Sequence, residues 1–285
     1  MAKLIVIGGA NLDIKAKTIA AHVPGTSNPA LIITKPGGVA RNIAHNLAKL
    51  GAEVSLISII GNDAAGSELL AATAAAGVNV SHVSKVEGTT GSYFAVLDHN
   101  GELVTAVNDM RLLDRLLPSM LDDKALAQCQ FVVADCNLPM PTLLALAKRV
   151  GHKLIVEPVS VSKCLKLKAM MQEAKIFLAT PNLDQLGALT GCLSLDAAAA
   201  KLLEQGLHNL VIHAGAKGAY LAQPGAGLRH VPSRAKVVVD VTGVGDAATA
   251  GLIWGLMQGK PMVEAVELGQ DMAARVIAST HSTLD

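Results

Sequence analysis

Short apolar runs alternate along this chain with longer stretches of helical periodicity, and that alternation limits the possible folds more than any other feature. The runs are residues 4–7, 54–60, 131–134, 154–156, 176–178 and 210–213, each followed by Gly, Asn, Asp or Pro and then a helical stretch. Strands apolar on both faces need cover on both faces. The pattern therefore predicts an α/β fold, a doubly wound and mostly parallel sheet flanked by helices. In such a sheet ligands sit outside the carboxyl ends of the strands, where Asn11, Asp135, Glu157, Asn182 and Gly215 all fall. A length of 285 residues with 51% hydrophobic content is ample for one large core, and no repeat or linker interrupts it. The expectation is a single domain over 1–285.

Net charge and composition narrow the partners. The formal charge is +1 without a basic run, and aromatics make up 2%, which argues against nucleic acid or an anionic membrane surface. A small-molecule ligand is expected. The N-terminal apolar run is too short for a signal-peptide core, and no later run reaches membrane-spanning length, so the expected location is the cytoplasm. Cys129, Cys136, Cys164 and Cys192 lie in no metal-ligand spacing and read as free thiols.

The chemistry concentrates at 239–254, Val-Asp-Val-Thr-Gly-Val-Gly-Asp-Ala-Ala-Thr-Ala-Gly-Leu-Ile-Trp. An apolar run at 237–241 reads as a short strand handing over to an Ala-rich helix at Gly243, Val244 and Gly245. The amides of that turn lack intrahelical partners and form an anion cradle, reinforced by roughly half a positive charge from the helix dipole. Asp246, in the first helical turn, is placed to accept a hydroxyl proton while the amides hold a phosphoryl group. The same residues also suit an ordinary capped turn. Asp240, Thr242, both glycines, Asp246 and Gly251 together resemble the C-terminal signature of the ribokinase-like (PfkB) sugar kinases, in which the aspartate is the catalytic base.

That resemblance extends through the chain. Asn11 and Asp13 are two apart after Gly8-Gly9, so on an extended segment both point one way, towards vicinal hydroxyls or into an Asx turn. Gly-x-x-Asn-x-Asp resembles the family's sugar-binding opening, which implies a ribose grip. Gly37 and Gly38 open a helix with Asn42 one turn on; Gly-Gly-x-x-x-Asn-x-Ala resembles the family's N-terminal signature and implies substrate contacts. Arg41 reads as a solvated or structural cation.

Residues 14–35 and 91–107 break the rhythm. They alternate as extended pieces, Ser92, Phe94 and Val96 against Tyr93, Ala95 and Leu97, with a turn at His99-Asn100-Gly101. They fit an edge hairpin or a β lid, and the resemblance implies a lid over the sugar that in several members makes a homodimer.

On the nucleotide side the resemblance implies ATP and Mg²⁺, with Asn182 after a strand and a loop His213-Ala-Gly215-Ala-Lys-Gly218. Two departures appear. The family's Asn-x-x-Glu, whose carboxylate organises hydrated magnesium, is here Asn-x-x-Gln185; Asp184 is one place earlier, turned about 100° on a helix. His213 stands where a Thr or Ser is usual and reads more readily as a core or hydrogen-bonded histidine. The final helix, 262–279, would bring Gln270 and Ala274 near the adenine. Asp240 and Thr242 match positions that bind K⁺ in several members.

Asn108-Asp109-Met110, Ala-Asp135-Cys136-Asn137 and Glu157-Pro-Val-Ser160 resemble one branch of the family, the bacterial pseudouridine kinases. That implies phosphorylation of the 5′-hydroxyl of pseudouridine, with Asn108, Asp109 and Lys163 as further substrate contacts; the lid residue Tyr93 is the next candidate if Asn108 and Asp109 do not discriminate the base. A kinase for ribose or an ordinary nucleoside, and a binding protein without activity, are the alternatives.

Overall fold

The computed structural model describes residues 4–284, which form two sheets and their covering helices. The strands are β1 (Leu4–Ile7), β2 (Asn11–Thr18), β3 (Ala30–Gly37), β4 (Val54–Gly61), β5 (Val83–Val86), β6 (Ser92–Leu97), β7 (Leu103–Asp109), β8 (Phe131–Asp135), β9 (Leu154–Glu157), β10 (Ile176–Ala179), β11 (Leu207–His213), β12 (Ala219–Ala222) and β13 (Arg229–Val231). The helices are α1 (Val39–Lys49), α2 (Ala64–Ala75), α3 (Asp123–Gln128), α4 (Met140–Val150), α5 (Val161–Cys164), α6 (Lys166–Glu173), α7 (Leu183–Thr190), α8 (Leu195–Glu204), α9 (Val244–Met257) and α10 (Met262–Ile277).

The main sheet has nine strands in the order β13-β12-β11-β10-β9-β8-β1-β4-β5. It is parallel from β11 to β5, and β12 and β13 turn antiparallel at one edge. Alternate strand residues feed two cores. Ile5 and Ile7 join α3, α4, α6, α7 and α8 through Leu126, Leu143, Met170, Leu186 and Leu202. Leu4 and Val6 face the other way, onto α1, α2, α9 and α10 through Ile43, Leu69, Leu252 and Val266. The doubly wound mostly parallel fold is thus present. From β1 the chain winds outward first to β4 and β5, then to β8 and beyond, so the switch point lies between β1 and β8.

The irregular segments form a second sheet, β3-β2-β6-β7, in which β2 and β6 are parallel and both flanking pairs antiparallel. Both faces keep apolar side chains in solvent: Leu31 and Ile33 share the face of Lys15 and Lys17, Val107 lies on the opposite face with Phe94 and Ile14, and Leu31, Ile33 and Val107 are each more than half exposed. One expected strand is absent. Residues 237–241 pair with no strand; Val237, Val238, Val239 and Val241 are all more than half exposed, and the segment is tied down by Val239 N and Asp240 N, which donate to Ile277 O. Its valines gave a β pattern that no sheet edge receives. Among the described residues no single helix is long and apolar enough to cross a membrane.

Candidate active site

Two helix starts converge on one carboxylate. Gly38 caps α1 at φ 98°, and a Cβ there would collide with the Gly9 carbonyl, so only glycine brings this helix start so close to the turn after β1. Gly243 caps α9 at φ 75°, where a Cβ would strike the Ser282 carbonyl. Asp246 lies in the first turn of α9, and Asn42, one turn into α1, donates from Nδ2 to Asp246 Oδ2 at 2.9 Å. The α9 turn at Gly243, Val244 and Gly245 therefore opens beside a carboxylate that already has an amide partner.

Asp246 is held well above the ordinary carboxylate range. Burial is the main cause, the Asn42 hydrogen bond works against it, and the nearby carboxylates of Glu157, Asp135 and Asp13 push the same way as burial. The environment thus suits a group that takes up a proton.

Asn42 is aimed by Arg41. Arg41 is 3% exposed; its guanidinium donates from Nη1 to Asn42 Oδ1 at 3.1 Å and to Pro36 O at 3.3 Å, and from Nε to Thr73 Oγ1 at 3.3 Å. Nη2 meets His45 Nδ1 at 2.9 Å. Of the two expectations for Arg41, the structural cation is the one observed. With its oxygen held, the amide of Asn42 turns its Nδ2 to Asp246.

The end of β2 supplies the polar floor. Asn11 Nδ2 donates to Asp13 Oδ1 at 2.8 Å, and Asp13 lies over Gly37, leaving no room there for a side chain. Burial raises Asp13, opposed by Asn11, Lys15 and Arg41. Asn11, Asp13, Gly37, Gly38, Asn42 and Asp246 are therefore brought together.

Asp135, at the end of β8, joins these pieces at the switch point. It is fully buried; Oδ2 accepts from Gly9 N at 2.8 Å and Ala40 N at 3.0 Å, and Oδ1 accepts from Asn137 N at 2.9 Å. Burial raises its pKa while these amides oppose the rise. Glu157, at the end of β9, is pushed up to about 7, mainly by burial, while accepting from Thr180 Oγ1 at 2.6 Å and Val159 N at 3.1 Å. An acid ending an apolar strand was the available signal for both.

The lid contacts divide. Asn108 pairs across from Tyr93 on β6 and is exposed. Asp109 pairs with Arg111 at 2.6 and 3.0 Å, a hydrogen-bonded ion pair that holds its carboxylate at about 2. Lys163 donates to Asn137 Oδ1 at 2.6 Å, and the Asn137 amide nitrogen lies beside Gly9.

The expected nucleotide residues are also rearranged. Asn182 and Gln185 form a reciprocal capping box on α7, Gln185 N donating to Asn182 Oδ1 and Asn182 N to Gln185 Oε1, both at 2.9 Å. Gln185 is buried in that cap and Asp184 points to the exposed side, so the magnesium-organising carboxylate of the resemblance has no counterpart at either position. His213 N donates to Pro181 O at 2.9 Å, which brings it next to Asn182, and its Nε2 sits 3.3 Å from Thr249 Oγ1. Burial lowers it to about 4, so it is a neutral, hydrogen-bonded histidine. Gly215 and Gly218 bound the turn that follows, with Ala214 N donating to Gly218 O at 2.8 Å. Gln270 is buried in α10, whereas Ala274 lines a surface recess with Arg234, Lys236 and Asp271. They lie one turn apart on the same helix.

The whole sequence, residues 1–285, matches the pfkB family of carbohydrate kinases. It is 32% identical to the pseudouridine kinase of Escherichia coli (strain K12), across 98% of this chain and 91% of that protein. It is 30% identical to the guanosine-inosine kinase of Exiguobacterium acetylicum, across 100% of this chain and 97% of that one. The structure superposes on the ribokinase of Thermotoga maritima with a TM-score of 0.90 at 26% identity, covering 99% of this chain and 95% of the other. With the fold, the glycine-capped helix starts and Asp246 in register with that signature, the chain belongs to the pfkB family of carbohydrate kinases.

Proposed function

We propose that this kinase transfers the γ-phosphoryl group of ATP to the 5′-hydroxyl of pseudouridine. The observation that carries the chemistry is the half-buried Asp246 carboxylate, bonded to Asn42 and set in the first turn after an amide cradle. Asp246 accepts the hydroxyl proton as the 5′-oxygen bonds to phosphorus and the bond from phosphorus to the bridging oxygen of ADP breaks. The amides at Gly243, Val244 and Gly245 hold the phosphoryl oxygens. Asn11, Asp13 and Asn42 hold the ribose, and Asn137, fixed by Lys163, faces the base. Magnesium supplies charge neutralisation on the phosphates. With Gln185 engaged in the α7 cap, this chain offers it less from that helix than an Asn-x-x-Glu would.

Similarity to the pseudouridine kinase, together with the Ala-Asp135-Cys136-Asn137 segment at the switch point, favours pseudouridine. Two copies joining through the exposed apolar side chains of the second sheet would form a homodimer over the sugar site. A second reading, a purine nucleoside as acceptor, draws on the similarity to the guanosine-inosine kinase and on Asp109 being taken by Arg111. The test is kcat/KM for ADP formation with pseudouridine, uridine, inosine and ribose. Pseudouridine is expected to lead by about tenfold or more, the worth of one buried polar group paired rather than unpaired; a lead for inosine would favour the second reading, and a lead for ribose would overturn both.

A further inference from the structure

Asp240 and Thr242 are the positions at which the family resemblance implies a monovalent cation, and their oxygens do not fit one here. Lys15, on β2 of the second sheet, places Nζ 2.8 Å from Asp240 Oδ2 and 2.7 Å from Thr242 Oγ1. The other Asp240 oxygen is taken by Thr242 itself, from N at 2.9 Å and Oγ1 at 2.7 Å. A second lysine from the same sheet, Lys35 on β3, donates to Thr280 O at 2.5 Å. Both ammonium groups share a cavity of about 210 Å³ with Asp13, Asp240, Thr242 and Ser282. The Ser282 carbonyl is the group against which Gly243 is pressed, so this cavity borders the first residue of the phosphoryl cradle.

An oxygen-lined cavity beside an anion cradle attracts positive charge, and here the chain supplies it covalently. Asp240 is held below the ordinary carboxylate range although burial opposes this, because the Lys15 and Thr242 hydrogen bonds outweigh burial. Removing the ammonium would leave an anionic carboxylate and a vacated space of cation size.

We propose that Lys15 is a built-in monovalent cation: its ammonium takes the place of a bound potassium ion between Asp240 and Thr242, positions the loop that enters the cradle, and makes phosphoryl transfer independent of K⁺. The inference rests on the kinase reading for its catalytic consequence, though not for the ion site itself. Lys15 acts here as a positioning residue, through Asp240 and Thr242.

The test compares wild type with Lys15→Met and Lys15→Gln in KCl and in tetramethylammonium chloride at equal ionic strength. One arm reads the thermal midpoint without substrates. The wild-type midpoint should be the same in both salts, and the variants should gain about 3 °C or more in KCl. The other arm reads ADP formation with pseudouridine: wild type should be indifferent to the salt, while the variants should be slow in tetramethylammonium and recover about tenfold in KCl. Activation or stabilisation of wild type by K⁺ overturns the proposal. So does equal loss in both salts by variants that remain folded, since Lys15 would then be a plain structural link. Should both variants fail to fold, a titration of wild type with thallium(I) observed by NMR decides, a saturable bound signal overturning the proposal and its absence supporting it. If no acceptor yields ADP in any salt, the kinase reading fails while the melting arm still judges the ion site.

Discussion

The side-chain amide of Asn42 donates to the carboxylate of Asp246 at 2.9 Å, although 204 residues separate them. The bond favours the ionised carboxylate, whereas burial and the carboxylates of Glu157, Asp135 and Asp13 disfavour it. A base must be ionised to accept a proton, so activity rises as pH passes upward through the Asp246 pKa. Removing the amide raises that pKa further. In Asn42→Ala the acid limb of the kcat/KM profile should therefore move to higher pH, separately from any change in KM; a limb that stays in place or moves to lower pH contradicts the assignment.

Glu157 gives a stability prediction with a defined sign. Its folded-state pKa of about 7 lies above the ordinary 4.5, so between those values the folded protein binds more protons than the unfolded chain. The contribution is fully present below pH 4.5 and is lost as pH rises through 7. Glu157→Gln should thus gain on wild type across that window, by up to about 3 kcal/mol at pH 8. Urea unfolding at pH 5 and pH 8 checks it, and a pH-independent difference would count against the buried, proton-holding carboxylate.

Neighbouring glycines of the cradle should respond in opposite ways. Gly243→Ala forces a side chain to φ 75° and against the Ser282 carbonyl, and should cost about 1–3 kcal/mol or more. A Cβ at Gly245 meets nothing within 4 Å, and inside a helix Ala is favoured over Gly by about 1 kcal/mol, so Gly245→Ala should keep or raise stability. Equal melting temperatures for the two variants would disprove the geometry of the α9 start.

Asp13, sharing a hydrogen bond with Asn11 over Gly37, should hold ribose hydroxyls. Asp13→Ala is expected to weaken nucleoside binding by ~1–3 kcal/mol for each partner lost. Calorimetry reads this directly, and unchanged affinity would remove Asp13 from the ribose site.

How much of this was legible in the sequence follows from the range of each interaction. Local periodicity carried the parallel strands, and short motifs carried Asn11, Asp13, Asn42 and Asp246, because each sits at the end of an element whose start and stop are coded nearby. The valines at 237–241 carried the same apolar signal as a strand, yet with no neighbouring edge they remain in solvent. Gln185 looked like a weakened metal contact; its amide instead completes a helix cap with Asn182, a use three residues away that the motif comparison obscured. Asn42 reaching Asp246, Asp135 joining Gly9 to Ala40, and Lys15 reaching Asp240 span long stretches of chain. They depend on which strands become neighbours, and no local pattern encodes that.

The most direct test of the central claim follows phosphate transfer to pseudouridine by ³¹P NMR in wild type and Asp246→Asn. The substitution keeps the size of the side chain and leaves the Asn42 contact an oxygen to meet. Wild type should form a nucleoside 5′-phosphate together with ADP, and Asp246→Asn should bind the nucleoside with similar affinity yet turn over ~100- to 10,000-fold more slowly, the range for a lost acid–base group. Turnover of Asp246→Asn close to that of wild type would contradict the account.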